Sequence, residues 1–233
     1  MTASSIAIDR RAPRVLVVSV VLTAVLYVIP FGRTVAWPLV LISTLAHELG
    51  HGLAAVVLGG HFYSLRLYAD GSGVALWGGP LGRVATALVA AAGLVGPALA
   101  AFALLIVGHR AAPARRALTI LGLVLMVIAV WLVRNPFGLT FTLLLAATLI
   151  VTARRAPGSA QAVVVFLAVQ LALAVFSRAD YLFTRVALTR SGPMPSDVSV
   201  MAQALFLPYW VWGAACAAVS LLLLAAGARG YFR

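Results

Sequence analysis

The sequence predicts an all-α polytopic membrane protein of about six to seven transmembrane helices, with one small β-hairpin after the second. Three observations carry this. Of 233 residues, 64% are hydrophobic and only 9% are charged, against about 25% charged in a soluble domain. The apolar residues fall into long runs, several near the roughly 20 residues that cross a bilayer as helix. One stretch, His61–Gly79, breaks the pattern: it is mixed in polarity, rich in aromatic and β-branched residues, and centred on Asp70-Gly71.

The first apolar run, Val15–Phe31, follows Arg10, Arg11 and Arg14. No small-x-small cleavage site follows it, so it reads as an uncleaved signal-anchor-like span. The leading arginines place the N-terminus inside, in a bacterial-type cell membrane. Further runs follow at Trp37–Leu58, Val84–Val107, Ala117–Val133, Phe137–Val151, Ala162–Leu188 and Met201–Ala226. The fourth and fifth are short; "RNPFG" at Arg134–Gly138 is a turn between two crossings or a break within one re-entrant unit. The whole chain, 1–233, reads as a single integral membrane domain.

The net charge of +12 comes from arginines standing singly or in pairs at segment ends, where basic residues flank spans. Basic residues interleaved with aromatics, as a single-strand binder needs, are absent, so nucleic acid is excluded as a partner. Cys216 is the lone cysteine, which rules out an internal disulfide and a thiolate zinc cluster.

In His61–Gly79, Asp-Gly between two strand-like runs signals a hairpin. An unpaired strand edge captures extended peptides through main-chain hydrogen bonds. Leu65, Leu67 and Tyr68, on the first strand, are the candidate substrate-binding residues.

The chemistry lies in "LAHELGHGLAAVVLGG", Leu45–Gly60. His47, Glu48 and His51 form His-Glu-x-x-His, and Glu48 is the only Glu in the chain. On a helix, residues four apart share a face. Two imidazoles so placed can hold one Zn2+, with the adjacent carboxylate reaching its water. Zinc brings that water to a pKa of about 7, and Glu48 takes its proton. Ionisable groups deep in an apolar helix are expensive and usually functional. The alternative class is a zinc-binding transporter or structural partner without hydrolysis; a site of that kind has no need of a water-activating base.

With these residues in view, the chain resembles the site-2-protease family of intramembrane zinc metalloproteases, most closely its small branch with little beyond the membrane core. The resemblance rests on "AHELGHGLAAVVLGG", "RLYADGSGV", "AAGLVGPALAA", "RNPFG", "RADYL" and "PSDVSVMAQALFLPYWVWG". It implies an endopeptidase that cuts a membrane protein in or near a transmembrane helix. The larger family usually carries a third ligand in a Leu-Asp-Gly motif, which this sequence lacks.

A catalytic zinc takes three protein ligands and an open position. Asp9 precedes the first span, Asp70 is a turn residue, His109 sits in a surface loop, and His61 lies just past the helix end. Asp180 and Asp197 remain. With seven segments, the second and sixth run parallel, and equal residue counts from their ends give Asp180 and His51 similar depth. Asp197 opens the seventh segment nearer the surface, with Ser196 as its cap. Asp180 is the first candidate and Asp197 the alternative. Asn135, the only Asn, is a candidate oxyanion donor. Gly93 and Gly96 suit close helix packing.

Overall fold

The computed structural model describes residues 11–177, 181–189 and 192–233. Helix α1 (Arg11–Val28) leads into α2 (Gly32–Val57). The two are separated where Phe31 takes a left-handed φ of 62° after Pro30. The end of α2 is written in "LGG". Gly59 has φ 87°, its N–H bonds to the Val56 carbonyl at 3.1 Å, and the Gly60 N–H bonds to the Ala55 carbonyl at 2.8 Å. This is a Schellman closure, for which glycine past the helix end is the favoured residue. It turns the chain back on itself.

Strands β1 (His61–Leu67) and β2 (Gly73–Gly78) form the expected antiparallel hairpin, with Leu65 opposite Ala75 and Leu67 opposite Gly73. The hairpin runs back along α2. At its tip, Trp37 Nε1 donates to the Ala69 carbonyl at 2.9 Å and Thr44 Oγ1 donates to the Gly71 carbonyl at 2.6 Å. Asp70 accepts hydrogen bonds from the Ser72 N–H and hydroxyl, holding the turn. The hairpin thus lies beside most of the helix and is no mere interfacial connection.

Helices α3 (Arg83–Gly108), α4 (Ala111–Trp131), α5 (Pro136–Arg155) and α6 (Ala160–Ser177) follow. Six of the described helices, α2 to α6 and Tyr209–Tyr231 near the C-terminus, are long and apolar enough to cross a membrane. The fourth and fifth runs are therefore each a helix long enough to span. Between them, Leu132–Asn135 lies along β1, with Val133 bridged to Leu65. The Leu65 N–H donates to the Leu132 carbonyl at 2.8 Å, and the Arg134 N–H donates to the Leu65 carbonyl at 2.9 Å. Pro136 then opens α5 at the position where its missing N–H costs least.

The last third departs from the sequence expectation. The sixth run ends as helix at Ser177; a short 3₁₀ turn, Tyr181–Phe183, and a strand β3 (Val186–Thr189) take up its remainder. Strand β4 (Gly192–Pro195) pairs with β3. The seventh run is split into α7 (Asp197–Leu205) and α8 (Tyr209–Tyr231) by Phe206, at φ 64°, and Pro208. "VALT" is as apolar as the helix before it, and hydropathy alone does not separate a short buried strand from helix.

Helices α2 and α3 cross closely. A Cβ at Gly96 would stand 2.8 Å from the Ala46 carbonyl oxygen, and one at Gly50 would collide with the Ala92 carbonyl. Small residues are what permit such approach where lipid supplies no hydrophobic drive. The core around β1 is built from Leu65, Leu67, Leu118, Leu125, Leu149 and Val164. Val127, Leu144 and Leu222 face outward, as side chains meeting lipid should.

Candidate metal centre and active site

Helix α2 presents His47, Glu48 and His51 together, Glu48 and His51 buried and His47 nearly so. Helix α3 fixes His51 from two sides. Its ring Nδ1 lies 2.9 Å from the Val89 carbonyl; since a carbonyl only accepts, Nδ1 carries the proton and Nε2 is left with a bare lone pair. Gly93 sits under the ring, and a Cβ there would land on the imidazole. Gly93 is therefore required by a histidine, beyond the helix packing expected for it.

Helix α7 supplies the third group. Asp197 Oδ2 lies 3.3 Å from His47 Nε2, Asp197 Oδ1 lies 3.3 Å from His51 Nε2, and the two Nε2 atoms are 3.2 Å apart. The Asp197 side chain is only 15% exposed, deeper than its position at the start of the seventh run suggests. The hairpin β3–β4 explains the depth, because it carries the chain back before α7 begins. Ser196 caps α7 through the Ser199 N–H at 3.3 Å and donates to the Thr184 carbonyl, tying the helix start to the segment before β3. Asp180, the first candidate from the sequence, lies outside the described residues.

The three groups fit a metal. Around a tetrahedral zinc with bonds of about 2.0–2.2 Å, neighbouring ligand atoms stand about 3.3 Å apart; the two Nε2 atoms are at that spacing, each imidazole has one carboxylate oxygen at it, and one ligand atom from each of the three residues lies within 4.8 Å of the others. Among the described residues, Asp197 Oδ2 is buried, with His47 Nε2 at 3.3 Å as its ion-pair neighbour and no ordinary hydrogen bond. A buried carboxylate oxygen without a donor is costly unless a cation answers it.

Glu48 stands beside this triad without joining it. Its Oε2 accepts the Ala75 N–H at 2.7 Å. A Cβ on Gly73 would come within 2.9 Å of its Cγ and 3.1 Å of Oε1, so β2 must be bare at that point. His47, Glu48, Gly73, Tyr181 and Ala187 line a cavity of about 440 Å³. The Tyr181 ring meets His47 edge-on, centroids 6.1 Å apart. A second cavity of about 350 Å³, on the other side of α2, is walled by Leu45, Leu49, Leu121 and Leu149 and holds no group able to do chemistry.

Other expected site residues lie elsewhere. Leu65 and Leu67 are fully buried, and their outward main-chain groups are spent. Leu65 is bonded to Leu132 and Arg134. Leu67 receives both ends of one carboxamide: Asn135 Oδ1 accepts its N–H at 3.2 Å, and Asn135 Nδ2 donates to its carbonyl at 2.6 Å. Tyr68 belongs to the turn, where its N–H bonds the Ser72 carbonyl. On the other side of the hairpin, the Ala75 N–H of β2 faces away from β1 and is given to Glu48. Asn135 gives its Oδ1 and one Nδ2 hydrogen to Leu67. Val89, Ala75 and Gly73 act through main chain or through lack of a side chain, and only a glycine could have shown in the sequence.

A two-histidine, one-carboxylate cluster with a glutamate at its side, set among helices that cross a bilayer, defines the membrane metallopeptidases as a class. This chain belongs to the Peptidase M50B-like family, the site-2-protease family, whose model matches residues 17–227. No curated protein and no solved structure matches it.

Proposed function

We propose that the protein is an intramembrane zinc endopeptidase that hydrolyses a peptide bond in or near a transmembrane segment of another membrane protein. The observation that supports this most directly is the convergence of His47, His51 and Asp197 at ligand spacing, with Glu48 on the cavity that His47 lines. His47 and His51 through Nε2, and Asp197 through its carboxylate, would hold the ion. Zinc there supplies Lewis acidity, which polarises an amide carbonyl and acidifies water.

The chain's own residues do the rest. The Val89 carbonyl holds the His51 ring in the tautomer that leaves Nε2 bare. The Ala75 N–H fixes one Glu48 oxygen, so the carboxylate stays turned toward the cavity. Glu48 accepts the proton of the attacking water and delivers it to the amide nitrogen as the C–N bond breaks. A peptide bond inside an intact helix is hydrogen-bonded and shielded, so the substrate must unwind locally. Its extended segment pairs along β2 at Gly73, which lines the cavity, while the Ala75 N–H stays with Glu48.

The test is a pair of variants. His47→Ala and His51→Ala should lose zinc from the purified protein. Glu48→Gln should keep zinc, cut nothing and hold an uncut substrate for crosslinking and mass spectrometry. Cleavage by Glu48→Gln at the parental rate would remove Glu48 as the base. A parent that binds zinc but cleaves no membrane protein would favour a non-hydrolytic metal site.

A further inference from the structure

Hairpin β3–β4 has two edges of unequal chemistry. Its pairs are Val186 with Pro195, Ala187 with Met194, Leu188 with Pro193, and Thr189 with Gly192. The phase of the ladder follows from its base, where the Ser196 N–H donates to the Arg185 carbonyl at 3.0 Å. In an antiparallel pair, hydrogen-bonded and non-bonded positions alternate. Pairs 187–194 and 189–192 therefore carry the ladder, while 186–195 and 188–193 do not. The outward main-chain groups of β4 belong to Pro193 and Pro195, which have no N–H. Those of β3 belong to Val186 and Leu188, each with a donor and an acceptor. Proline closes one edge of the hairpin to further pairing and leaves the other open.

The strand that carries this edge reaches the site. Ala187 of β3 lines the same cavity as His47, Glu48 and Gly73, and Val186 is 48% exposed. Strand groups left without partners at membrane depth are costly unless they line a cavity or are covered by a guest. The hairpin also runs through Ser196 directly into Asp197.

We propose that β3 is a second substrate-pairing edge: an extended stretch of the substrate adds to β3 through the main chain of Val186 and Leu188. This rests on the protease reading above and goes beyond it in giving the guest strand a second place to bind. The occupant is extended polypeptide, because an N–H and a C=O alternating along one edge match the backbone of another strand and no other common ligand. A guest strand there is held by the element that positions Asp197, so binding of substrate and placement of the third ligand are mechanically joined.

The experiment uses the full-length Glu48→Gln protein with Cys216 replaced by Ala. The probe is a designed single-span helix of about 20 Leu and Ala residues with a central Asn-Pro-Gly break and single cysteines scanned along it. Cysteine is placed in turn at Val186, at Pro195 and, on β2, at Leu76. A strand added to β3 lies about 4.8 Å from Val186 and about twice that from Pro195, and a disulfide needs Cα atoms within about 6.8 Å. Disulfides from position 186 to every second probe residue, with none from 195, are expected. In the otherwise wild-type protein, Val186→Pro removes one outward donor and spares the ladder; kcat/KM should fall about tenfold with zinc content unchanged. Links from 76 but not from 186, or an unchanged Val186→Pro, would overturn the second edge while the protease reading stands. Links from 186 only to a second copy of the chain would make β3 a dimer contact and overturn it too. No links anywhere and no cleavage of the probe by the parent would bring down both.

Discussion

Gly93→Ala tests the centre with a single methyl group. The added Cβ would land on the His51 ring, closer than any ordinary contact. The ring has nowhere cheap to go: Nδ1 is tied to Val89 at 2.9 Å, and Nε2 is 3.2–3.3 Å from its two neighbours. Relieving the overlap needs a displacement of about 1 Å, since carbon atoms rest at about 3.5–4.0 Å. Metal–ligand distances tolerate about 0.2 Å, so the imidazole would leave the coordination sphere. Disturbing an outer partner alone costs about 10–100-fold in metal affinity; displacing a ligand should exceed the upper figure, or about 2.7 kcal/mol. The assay is zinc affinity of the detergent-purified protein by chelator competition. Gly96→Ala serves as comparison, because its Cβ meets the Ala46 carbonyl and not the ring. Wild-type zinc affinity in a folded Gly93→Ala protein would refute the placement of His51 under α3.

Three further outcomes are expected. Asp197→Ala should weaken zinc binding more than about 100-fold while Asp180→Ala leaves it near wild type; the opposite ranking in the same competition assay would move the third ligand to Asp180. Ala75→Pro removes the N–H that holds Glu48, from a position facing away from β1. Single-turnover measurements should show kcat down tenfold or more, short of the about 10²–10⁴ carried by a whole general base, with zinc retained. Asn135→Ala strands the Leu67 N–H and carbonyl in the interior, at about 1–3 kcal/mol each, and should lower the thermal midpoint in detergent; an unchanged midpoint would mean that water or neighbouring backbone replaces the carboxamide.

His47, Glu48 and His51 were legible because a helix converts spacing into a shared face, and because a carboxylate in an oily run needs a reason. The first hairpin was legible from Asp70-Gly71. Asp197 was harder. Its depth depends on β3 and β4, and "VALT" following α6 has the composition of more helix. Pro208, inside the seventh run, was a visible sign of the break between α7 and α8, and a continuous helix from Met201 overlooks it. The surroundings of Leu65, Leu67 and Tyr68 were hidden for a different reason. Sequence showed a strand, but which edge is open depends on Leu132–Asn135, more than sixty residues away. Main-chain partners such as Val89 and Ala75 leave no mark in a sequence at all.

Asn135 gives the outer side of β1 a terminus made of a side chain. One carboxamide presents an acceptor and a donor to Leu67 at the spacing of a neighbouring strand, and Gly138 leaves room for it, since a Cβ there would come within 2.6 Å of Asn135 Oδ1. A membrane crowds many copies of a protein into two dimensions, where a bare strand edge would invite copies to zip together. With Leu65 and Leu67 sealed from within the chain, that stretch of the first sheet has no outward main-chain groups left for another strand to join. Neighbours of the same kind find nothing there to hold.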